Sequence, residues 1–515
     1  MTLEEIIVAI AATFLVLLLI GGATIVTSKN DEFAGHPKGL FVLFFAEMWE
    51  RFSYYGMRAI LVLYLIAPPD GATVPGGGLG FSNADAAAIY GTYVSLIYLL
   101  PLVGGWVADR LTGPRKAVLF GGIVIAAGHF LMAVPLEVLF WSGLLVIAVG
   151  TGLLKPSVST MVGGLYAPDD TRRDGGFSIF YMGINLGALI APLIVGYLGE
   201  DINWHLGFAV AGVGMLIGLA QYLAGWRGLG SVGLVAPNPA SPAERRRAGI
   251  QTIVVVGATV IVVGLTVGVL GLSIADITVL FTVVVVAIAA IYFWRLFKQP
   301  QITPANRDRL WAFLFLFLAA VVFWAIYDQS GSTINEFVAA YTDTNVGAFA
   351  VPISWIQSIN PVFIIIFAPI FAVLWTKLGH RAPSTPIKFA MAIFGVGLSF
   401  LIMVPAALQA ENGEKSALWW IVSVFLVQTW AELLLSPNGL SVTTKLAPTG
   451  LVSQMLALWF LATAVGDSVG GQLVRLVDVF GWAGYFISCG IGTIILGGLF
   501  LLVVPRIKRL MEGVS

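Results

Sequence analysis

Charged residues stand inside a stretch of the chain that is otherwise apolar. Residues 45 to 60 read FAEMWERFSYYGMRAI and contain two acids and two arginines, Glu47, Glu50, Arg51 and Arg58. On a helix, at 100° per residue, these side chains and Tyr54 lie within about a third of the circumference. One helix face therefore presents acids, bases and a phenol, which suits the binding of charged groups or the transfer of protons.

The composition indicates that these charges lie within a membrane. Of the 515 residues, 58% are hydrophobic and 10% are charged, whereas roughly a quarter of the residues in soluble domains are charged. Uncharged runs such as 253 to 272 reach the length of about 20 residues that a helix needs to cross a bilayer. The composition predicts an all-α polytopic membrane protein and excludes soluble enzymes, secreted scaffolds and outer-membrane barrels.

Cysteine content and net charge exclude two further classes. Cys489 is the single cysteine, so the chain cannot form an internal disulfide. The 27 basic residues are balanced by 27 acidic residues, which argues against a nucleic-acid partner.

Apolar runs between Pro, Gly and charge clusters predict fifteen membrane spans. They cover about residues 3 to 27, 39 to 66, 84 to 109, 116 to 135, 139 to 163, 175 to 199, 205 to 226, 249 to 271, 275 to 297, 308 to 328, 350 to 376, 386 to 408, 416 to 444, 450 to 477 and 481 to 505. Lys and Arg concentrate in every second loop, and basic loops stay in the cytoplasm. The C-terminus is therefore expected on the cytoplasmic side.

The spans are expected to form two six-helix bundles with additions. The predicted units are an additional N-terminal helix at 1 to 30, a first bundle at 39 to 226, a cytoplasmic linker at 227 to 248, a two-helix insertion at 249 to 298 and a second bundle at 307 to 506. The insertion carries almost no charge and is expected to face lipid as a scaffold. The N-terminal helix lacks the basic start of a signal peptide and is expected to be retained, either spanning the membrane or lying beside the bundle.

Three more ionisable residues, Lys155, Asp328 and Glu432, lie in separate predicted spans. A charge at mid-membrane costs about 2.5 to 3.5 kcal/mol, so these groups are expected to face protein or water. With the first cluster, four acids oppose three bases, and an acid without a partner can bind and release a proton as partners change. This pattern fits a proton-coupled carrier; the alternative is a set of ion pairs that only lock helices together.

Several segments resemble the proton-dependent oligopeptide transporter family of the major facilitator superfamily. The segment EMWERFSYYG, residues 47 to 56, matches the ExxERFxYYG motif of that family. GGWVADRLTGPRK, 104 to 116, is similar to the superfamily loop between helices two and three, and FYMGINLGALIAPL, 180 to 193, to the fifth-helix signature, with Ala188 in place of the usual Ser. The resemblance covers about 39 to 226 and 300 to 505, and it implies the major facilitator fold.

The resemblance also implies roles for individual residues. Proton coupling would involve Glu47, Glu50, Arg51 and Lys155. Arg51 and Lys155 would bind the carboxylate end of a peptide, and Glu432 its ammonium end. Further contacts to the peptide termini, backbone and side chains would come from Tyr54, Tyr55, Tyr98, Asn185, Trp324, Asn360, Ser436 and Trp459. Gate pairs would join Arg58 to Asp328, an Asp where bacterial members commonly have Glu, and Lys155 to Glu432 when peptide is absent.

The sequence leads to the hypothesis of a symporter that imports di- and tripeptides with protons across the bacterial inner membrane. No cofactor, metal or enzymatic activity is expected, because the chain has no HExxH motif, Cys cluster or Walker loop. The alternatives are a carrier of nitrate or other small solutes and a passive channel. The presence of both Lys155 and Glu432 favours a zwitterionic cargo, and His129 is expected to be a core residue without a coupling role.

Overall fold

The computed structural model describes residues 3–72, 74–167, 170–247, 250, 271–299, 302–347, 349–448 and 451–511. Its helices are α1 (Leu3–Thr27), α2 (Lys38–Ile66), α3 (Asn83–Leu99), α4 (Pro101–Val107), α5 (Pro114–Met132), α6 (Glu137–Gly164), α7 (Arg173–Ala191), α8 (Trp204–Ala224), α9 (Ile274–Phe297), α10 (Pro304–Tyr327), α11 (Thr333–Tyr341), α12 (Ile359–Leu378), α13 (Thr385–Glu411), α14 (Leu418–Leu446), α15 (Val452–Leu473) and α16 (Leu476–Leu510). We call α2 to α8 the first half and α10 to α16 the second half.

Shorter elements connect these helices. Helical turns of the 3-10 or π type cover Ala108–Thr112, Pro192–Gly196, Leu198–Ile202, Trp226–Leu229, Asp328–Gly331, Ile353–Ser358 and Gly379–Arg381. Two-residue strands pair in three places: Glu32–Phe33 with His36–Pro37, Thr342–Asp343 with Ser416–Ala417, and Asn345–Val346 with Phe349–Ala350. The first and third pairs are antiparallel and the second is parallel.

The helices follow the predicted spans closely. Every predicted span except 249 to 271 overlaps a helix of the described part. Of the helical segments there, 12 are long and apolar enough to cross a membrane, and α2 and α15 are not among them. The predicted span at 249 to 271 lies outside the described residues except for its residues 250 and 271. The all-α polytopic fold class that composition predicts is confirmed by the helices of the described part.

The N-terminal helix α1 packs against α2 and α8 of the first half, and a glutamine of α8 bonds to its backbone. Gln221 of α8 donates from Nε2 to the carbonyl oxygen of Leu19 at 3.1 Å, and its Oε1 accepts from Nε1 of Trp49 at 2.7 Å. A Cβ built at Gly22 would lie 2.6 Å from Nε2 of Gln221 and 2.9 Å from the ring of Phe45, so an alanine there would displace these side chains. Most other side chains of α1 are exposed or half-buried, which suits a helix that faces lipid on its remaining sides. Its crossing of the membrane stays a prediction.

The segment after α8 packs onto the loop between α4 and α5. Arg115 is buried and donates from Nη2 to the carbonyl oxygens of Gly230 at 2.8 Å and Val232 at 2.7 Å. Arg110 forms an ion pair with Glu244 at 2.6 Å. Arg115 belongs to the segment 104 to 116 that resembles the superfamily loop, and in the structure its guanidinium satisfies backbone carbonyls at the start of the linker.

Helices α4 and α6 touch backbone to backbone at Gly104. A Cβ built there would lie 2.0 Å from the carbonyl oxygen of Gly152, an atom that cannot move aside without moving the helix. The next residue, Gly105, has room: its Cβ would meet only the side chain of Pro156, at 3.8 Å. The two adjacent glycines therefore differ in what a methyl group would meet.

We expect Gly104→Ala to lower the melting temperature of the detergent-purified protein, and Gly105→Ala to leave it unchanged or slightly raised. Overpacking of this kind costs about 1 to 3 kcal/mol, whereas Gly to Ala in an unobstructed helix gains roughly 0.5 to 1 kcal/mol. Thermal unfolding followed by tryptophan fluorescence measures both variants. Equal melting temperatures for the two alanine variants would contradict the close contact.

Candidate functional site

Glu47, Glu50 and Arg51 form one buried cluster on α2. Nε of Arg51 lies 2.8 Å from Oε1 of Glu47 and 3.0 Å from Oε2 of Glu50. Helix α7 backs this cluster closely, since a Cβ at Gly187 would lie 3.0 Å from Cβ of Arg51. One guanidinium thus faces two carboxylates, and Oε2 of Glu47 and both oxygens of Glu50 accept no hydrogen bond from the described residues. Two ionised acids beside one buried cation leave a negative charge uncompensated, so the cluster can bind a proton.

Lys155 on α6 makes a cation–π contact instead of an ion pair. Its Nζ lies 3.8 Å from the centre of the Tyr98 ring, and Pro156 follows it inside the helix. A cation held by an aromatic ring keeps its positive charge available for a second partner. Lys155 and Arg51 therefore supply the first half with two groups that can attract a carboxylate.

Glu432 on α14 is held by neutral donors of the second half. The hydroxyl of Tyr327 donates to its Oε2, and Nδ2 of Asn360 donates to the same oxygen at 3.2 Å. Nδ2 of Asn360 also donates to Oγ1 of Thr429 at 3.0 Å. The expected pair between Lys155 and Glu432 is not formed in this structure. Neutral donors leave the charge of Glu432 uncancelled, so it can attract an ammonium group.

Tyr327 and Thr429 belong to this network but are absent from the sequence analysis. Thr429 stands three residues before Glu432 on the same helix, and residues at that spacing lie side by side. Tyr327 directly precedes Asp328, which was identified from the sequence, and the two adjacent side chains point in different directions from the helix. Helical spacing could have identified Thr429, whereas the contact of Tyr327 with Glu432 depends on the packing of α10 against α14.

A buried ion pair joins the two halves. Nη2 of Arg58 on α2 lies 2.6 Å from Oδ1 of Asp328, the residue that follows α10. Nε of Arg58 donates to the hydroxyl of Tyr90 on α3. The pair that the resemblance implies is present, while its function as a gate stays a prediction.

A second contact between the halves lies at the same end. Glu200, which follows α7, accepts backbone N–H groups from Ile353 at 3.1 Å and Ser354 at 2.8 Å. We call this end of the two halves, where Arg58 meets Asp328, the closed end. Glu200 was not identified from the sequence, because it stands at the border of a predicted span and resembles an ordinary loop acid.

The other predicted binding residues differ in their contacts. Tyr54, Trp324 and Ser436 each hold a buried polar atom with no hydrogen-bond partner among the described residues. Asn185 instead donates to the carbonyl oxygen of Tyr181 in its own helix at 3.0 Å. Of the remaining two, Tyr55 lies beside Arg58, with 5.9 Å between the guanidinium carbon and the ring centre, and Trp459 packs on Gly439 of α14.

Two buried acids are missing from the sequence-based charge count. Asp467 on α15 and Glu336 on α11 are buried, and their side-chain oxygens accept no hydrogen bond from the described residues. The count of four acids against three bases is therefore incomplete. Asp467 could have been found, since it lies inside the predicted span 450 to 477, but Glu336 follows a predicted span and reads as a loop residue.

His129 packs in the core, as the sequence analysis expects. It is buried on α5, and its Nε2 lies 2.6 Å from Oγ of Ser53 on α2. The contact fixes the orientation of the imidazole between two helices of the first half. His129 is therefore a packing residue, and the charged groups of the candidate site are acids, lysine and arginine.

Comparison with known proteins identifies the family. The POT family profile matches residues 115–486. The chain is 48% identical over 484 residues to the uncharacterized transporter YclF of Bacillus subtilis, covering 94% of this chain and 96% of the relative. It is 42% identical over 497 residues to the di-/tripeptide transporter of Lactococcus lactis subsp. cremoris, covering 95% and 99%.

Solved structures give the same result for the fold. The crystal structure of peptide transporter POT in complex with sulfate matches with a TM-score of 0.88 and 42% identity, covering 96% of this chain and 99% of that one. A POT family transporter in complex with a thioalcohol conjugated peptide matches with a TM-score of 0.87 and 37% identity, covering 94% and 99%. The predicted fold class and the resemblance stated from the motifs are both confirmed. The chain belongs to the POT family.

Proposed function

We propose that the chain is a proton-coupled symporter that imports di- and tripeptides across the bacterial cytoplasmic membrane by alternating access. Membership of the POT family supports this function, as do relatives named di-/tripeptide transporter and peptide transporter. The protein is not an enzyme. The halves at 39 to 226 and 307 to 506 rock against each other in lipid, the C-terminus lies in the cytoplasm, and the closed end faces outward.

The arrangement of charges on the two halves supports a peptide as the cargo. Arg51 and Lys155 lie on the first half and Glu432 on the second, with Glu432 held only by neutral donors. A zwitterion needs cationic groups at one end and a carboxylate at the other. An anion such as nitrate would be attracted by the cations but repelled by Glu432, so the arrangement favours a peptide over an inorganic anion.

The carboxylates of Glu47 and Glu50 supply a proton site beside the peptide site. Arg51 faces both acids and is also positioned to receive the peptide carboxylate, so arrival of the peptide draws the guanidinium away from one acid. That acid then favours its protonated form. Each net positive charge moved inward gains about 2.3 kcal/mol per 100 mV of membrane potential, which drives accumulation.

Uptake of labelled dialanine into proteoliposomes tests the function. An inward proton gradient and a negative-inside potential should cause accumulation that collapses when an uncoupler is added. Nitrate should not compete with dialanine. Dialanine binding without gradient-driven accumulation would overturn the symport mechanism, and uptake of nitrate without any binding of dialanine would overturn the peptide cargo.

Glu432→Gln should weaken dialanine binding about tenfold to a hundredfold, because a hydrogen bond to a charged partner contributes about 1.5 to 3 kcal/mol. N-acetyl-dialanine lacks the ammonium group, so its weaker binding should hardly change in the same variant. Competition for labelled dialanine counterflow measures both ligands. Glu414→Gln, which alters an exposed acid in a loop of the second half, is the matched control. Equal losses of affinity for both ligands would show that Glu432 does not bind the ammonium group.

A further inference from the structure

Asp467 is a buried acid at the closed end, and the proposed function assigns no role to its charge. It lies on α15, and only 3% of its surface is exposed. A Cβ built at Gly91 of α3 would lie 2.5 Å from the carbonyl oxygen of Asp467, so the two helices touch at this residue. Neither side-chain oxygen of Asp467 receives a hydrogen bond from a described residue. An acid buried in a helix contact without a donor requires an explanation.

The charged groups that face Asp467 are those of the ion pair between the halves. A Cβ built at Gly470, three residues after Asp467, would lie 2.5 Å from the carbonyl oxygen of Ala325, three residues before Asp328, so α15 and the end of α10 touch at this level. The carboxyl groups of Asp467 and Asp328 interact there, and Arg58 and Lys155 are the cations that act on Asp467. Tyr90 and Tyr98 are the phenols on which its charge acts. Oδ1 of Asp328 is bound to Arg58, whereas Oδ2 has no partner among the described residues.

One guanidinium therefore faces two carboxyl groups in a site closed to water. Because Arg58 pairs with Asp328, an ionised Asp467 would have no ion-pair partner among the described residues and would lie beside a like charge, which is strongly unfavourable. A proton on Asp467 removes the excess charge, and the resulting O–H group donates a hydrogen bond to Asp328. Asp328 stays ionised and keeps its ion pair with Arg58.

We propose that Asp328 and Asp467 form a proton-sharing dyad at the closed end, and that its proton is one of those carried with the peptide. The pair titrates as a unit, so the proton belongs to both acids. Binding forms an O–H bond on a carboxylate oxygen with a proton from the outer solution, and release to the cytoplasm reverses this step.

The dyad gives proton binding a direct effect on conformation, and this step rests on the proposed symport function. With the proton bound, the buried site is neutral, so the closed end is stable. Loss of the proton leaves an excess negative charge, which favours reopening and rehydration of that end. Proton loading thus drives closure to the outside, and proton release resets the carrier.

Asp467→Asn tests the dyad, because the amide keeps the size and the hydrogen-bond donor but cannot release a proton. The measurement is the limiting accumulation ratio of labelled dialanine in proteoliposomes with a pH gradient of one unit and the membrane potential clamped at zero. Each co-transported proton multiplies this ratio by about ten. We expect the Asn variant to reach a ratio about tenfold below the unmodified protein, with dialanine counterflow within about twofold.

Two further variants serve as controls. Asp467→Glu keeps a carboxyl group and should keep the unmodified ratio. Asp478→Asn removes an exposed acid in the first turn of α16 and should change neither the ratio nor counterflow.

The outcomes separate the dyad from the function on which it rests. An unmodified accumulation ratio in Asp467→Asn, with counterflow intact, would overturn the dyad and leave symport standing. Absence of gradient-driven accumulation in the unmodified protein would overturn the symport function itself. If the Asn variant does not reach the membrane, the ratio is measured on Asp467→Ser, whose smaller side chain fits the same space, and an unmodified ratio there would equally overturn the dyad.

Discussion

Glu50→Gln should abolish the accumulation of dialanine against its gradient while dialanine counterflow continues in part. Glu50 and Glu47 share the guanidinium of Arg51, and neither oxygen of Glu50 accepts a hydrogen bond from a described residue. A glutamine at this position cannot bind or release a proton, so the cycle loses its exchange of protonation states. Counterflow needs only peptide binding and movement of the loaded carrier, and both Arg51 and Lys155 remain in place for the peptide carboxylate.

The experiment compares accumulation and counterflow in the same proteoliposomes. Glu47→Gln should lose accumulation as well, because the two acids share one cation. Glu137→Gln, which changes an exposed acid at the start of α6, is the control and should accumulate dialanine normally. Full accumulation by both Glu47→Gln and Glu50→Gln would show that these carboxylates do not couple protons to peptide.

The local part of the site could be predicted because it lies on one helix. Glu47, Glu50 and Arg51 are separated by three and four residues, so the helical period alone places them together. Their contacts at 2.8 and 3.0 Å have the expected partners. Apolar run lengths likewise predict the helices, because a membrane requires spans of nearly fixed length.

The long-range part of the site depended on the resemblance or was missed. Arg58 and Asp328 are 270 residues apart, and no spacing rule connects residues at that distance. Asp467 is a single acid in an apolar span, so nothing near it in the sequence indicates its partners. Glu336 lies on α11, which continues the helical path past the point where the predicted span ends. Each of these contacts arises from packing between helices, which composition and periodicity do not determine.

Arg58→Met should open the closed end and lower dialanine uptake at least about a hundredfold. The substitution leaves Asp328 buried without its cation, and removal of one partner from a buried ion pair costs about 3 to 5 kcal/mol. Because about 1.4 kcal/mol corresponds to a factor of ten, the population of the closed conformation should fall by about two to four orders of magnitude. A carrier that cannot close its outer end cannot complete the cycle.

A cysteine below the closed end reports this change directly. Ser436→Cys, one helical turn from Glu432, is placed in a Cys489→Ala background and exposed to a membrane-impermeant maleimide from the outside. The cysteine should be shielded when Arg58 is present and labelled in Arg58→Met. Continued shielding in Arg58→Met would mean that the ion pair does not hold the two halves together.

Arg475 is a partly exposed arginine at the same end and serves as the control for Arg58. Arg475 lies 3.8 Å from Asp85, both side chains are 31% exposed, and exposed pairs contribute only about 0 to 1 kcal/mol. Arg475→Met should therefore leave uptake within about twofold and the reporter shielded.

Adding Asp328→Asn to Arg58→Met removes the unpaired carboxylate and should restore shielding without restoring proton-driven accumulation. Shielding and accumulation that recover together would instead mean that Arg58 and Asp328 only join the halves and play no part in coupling.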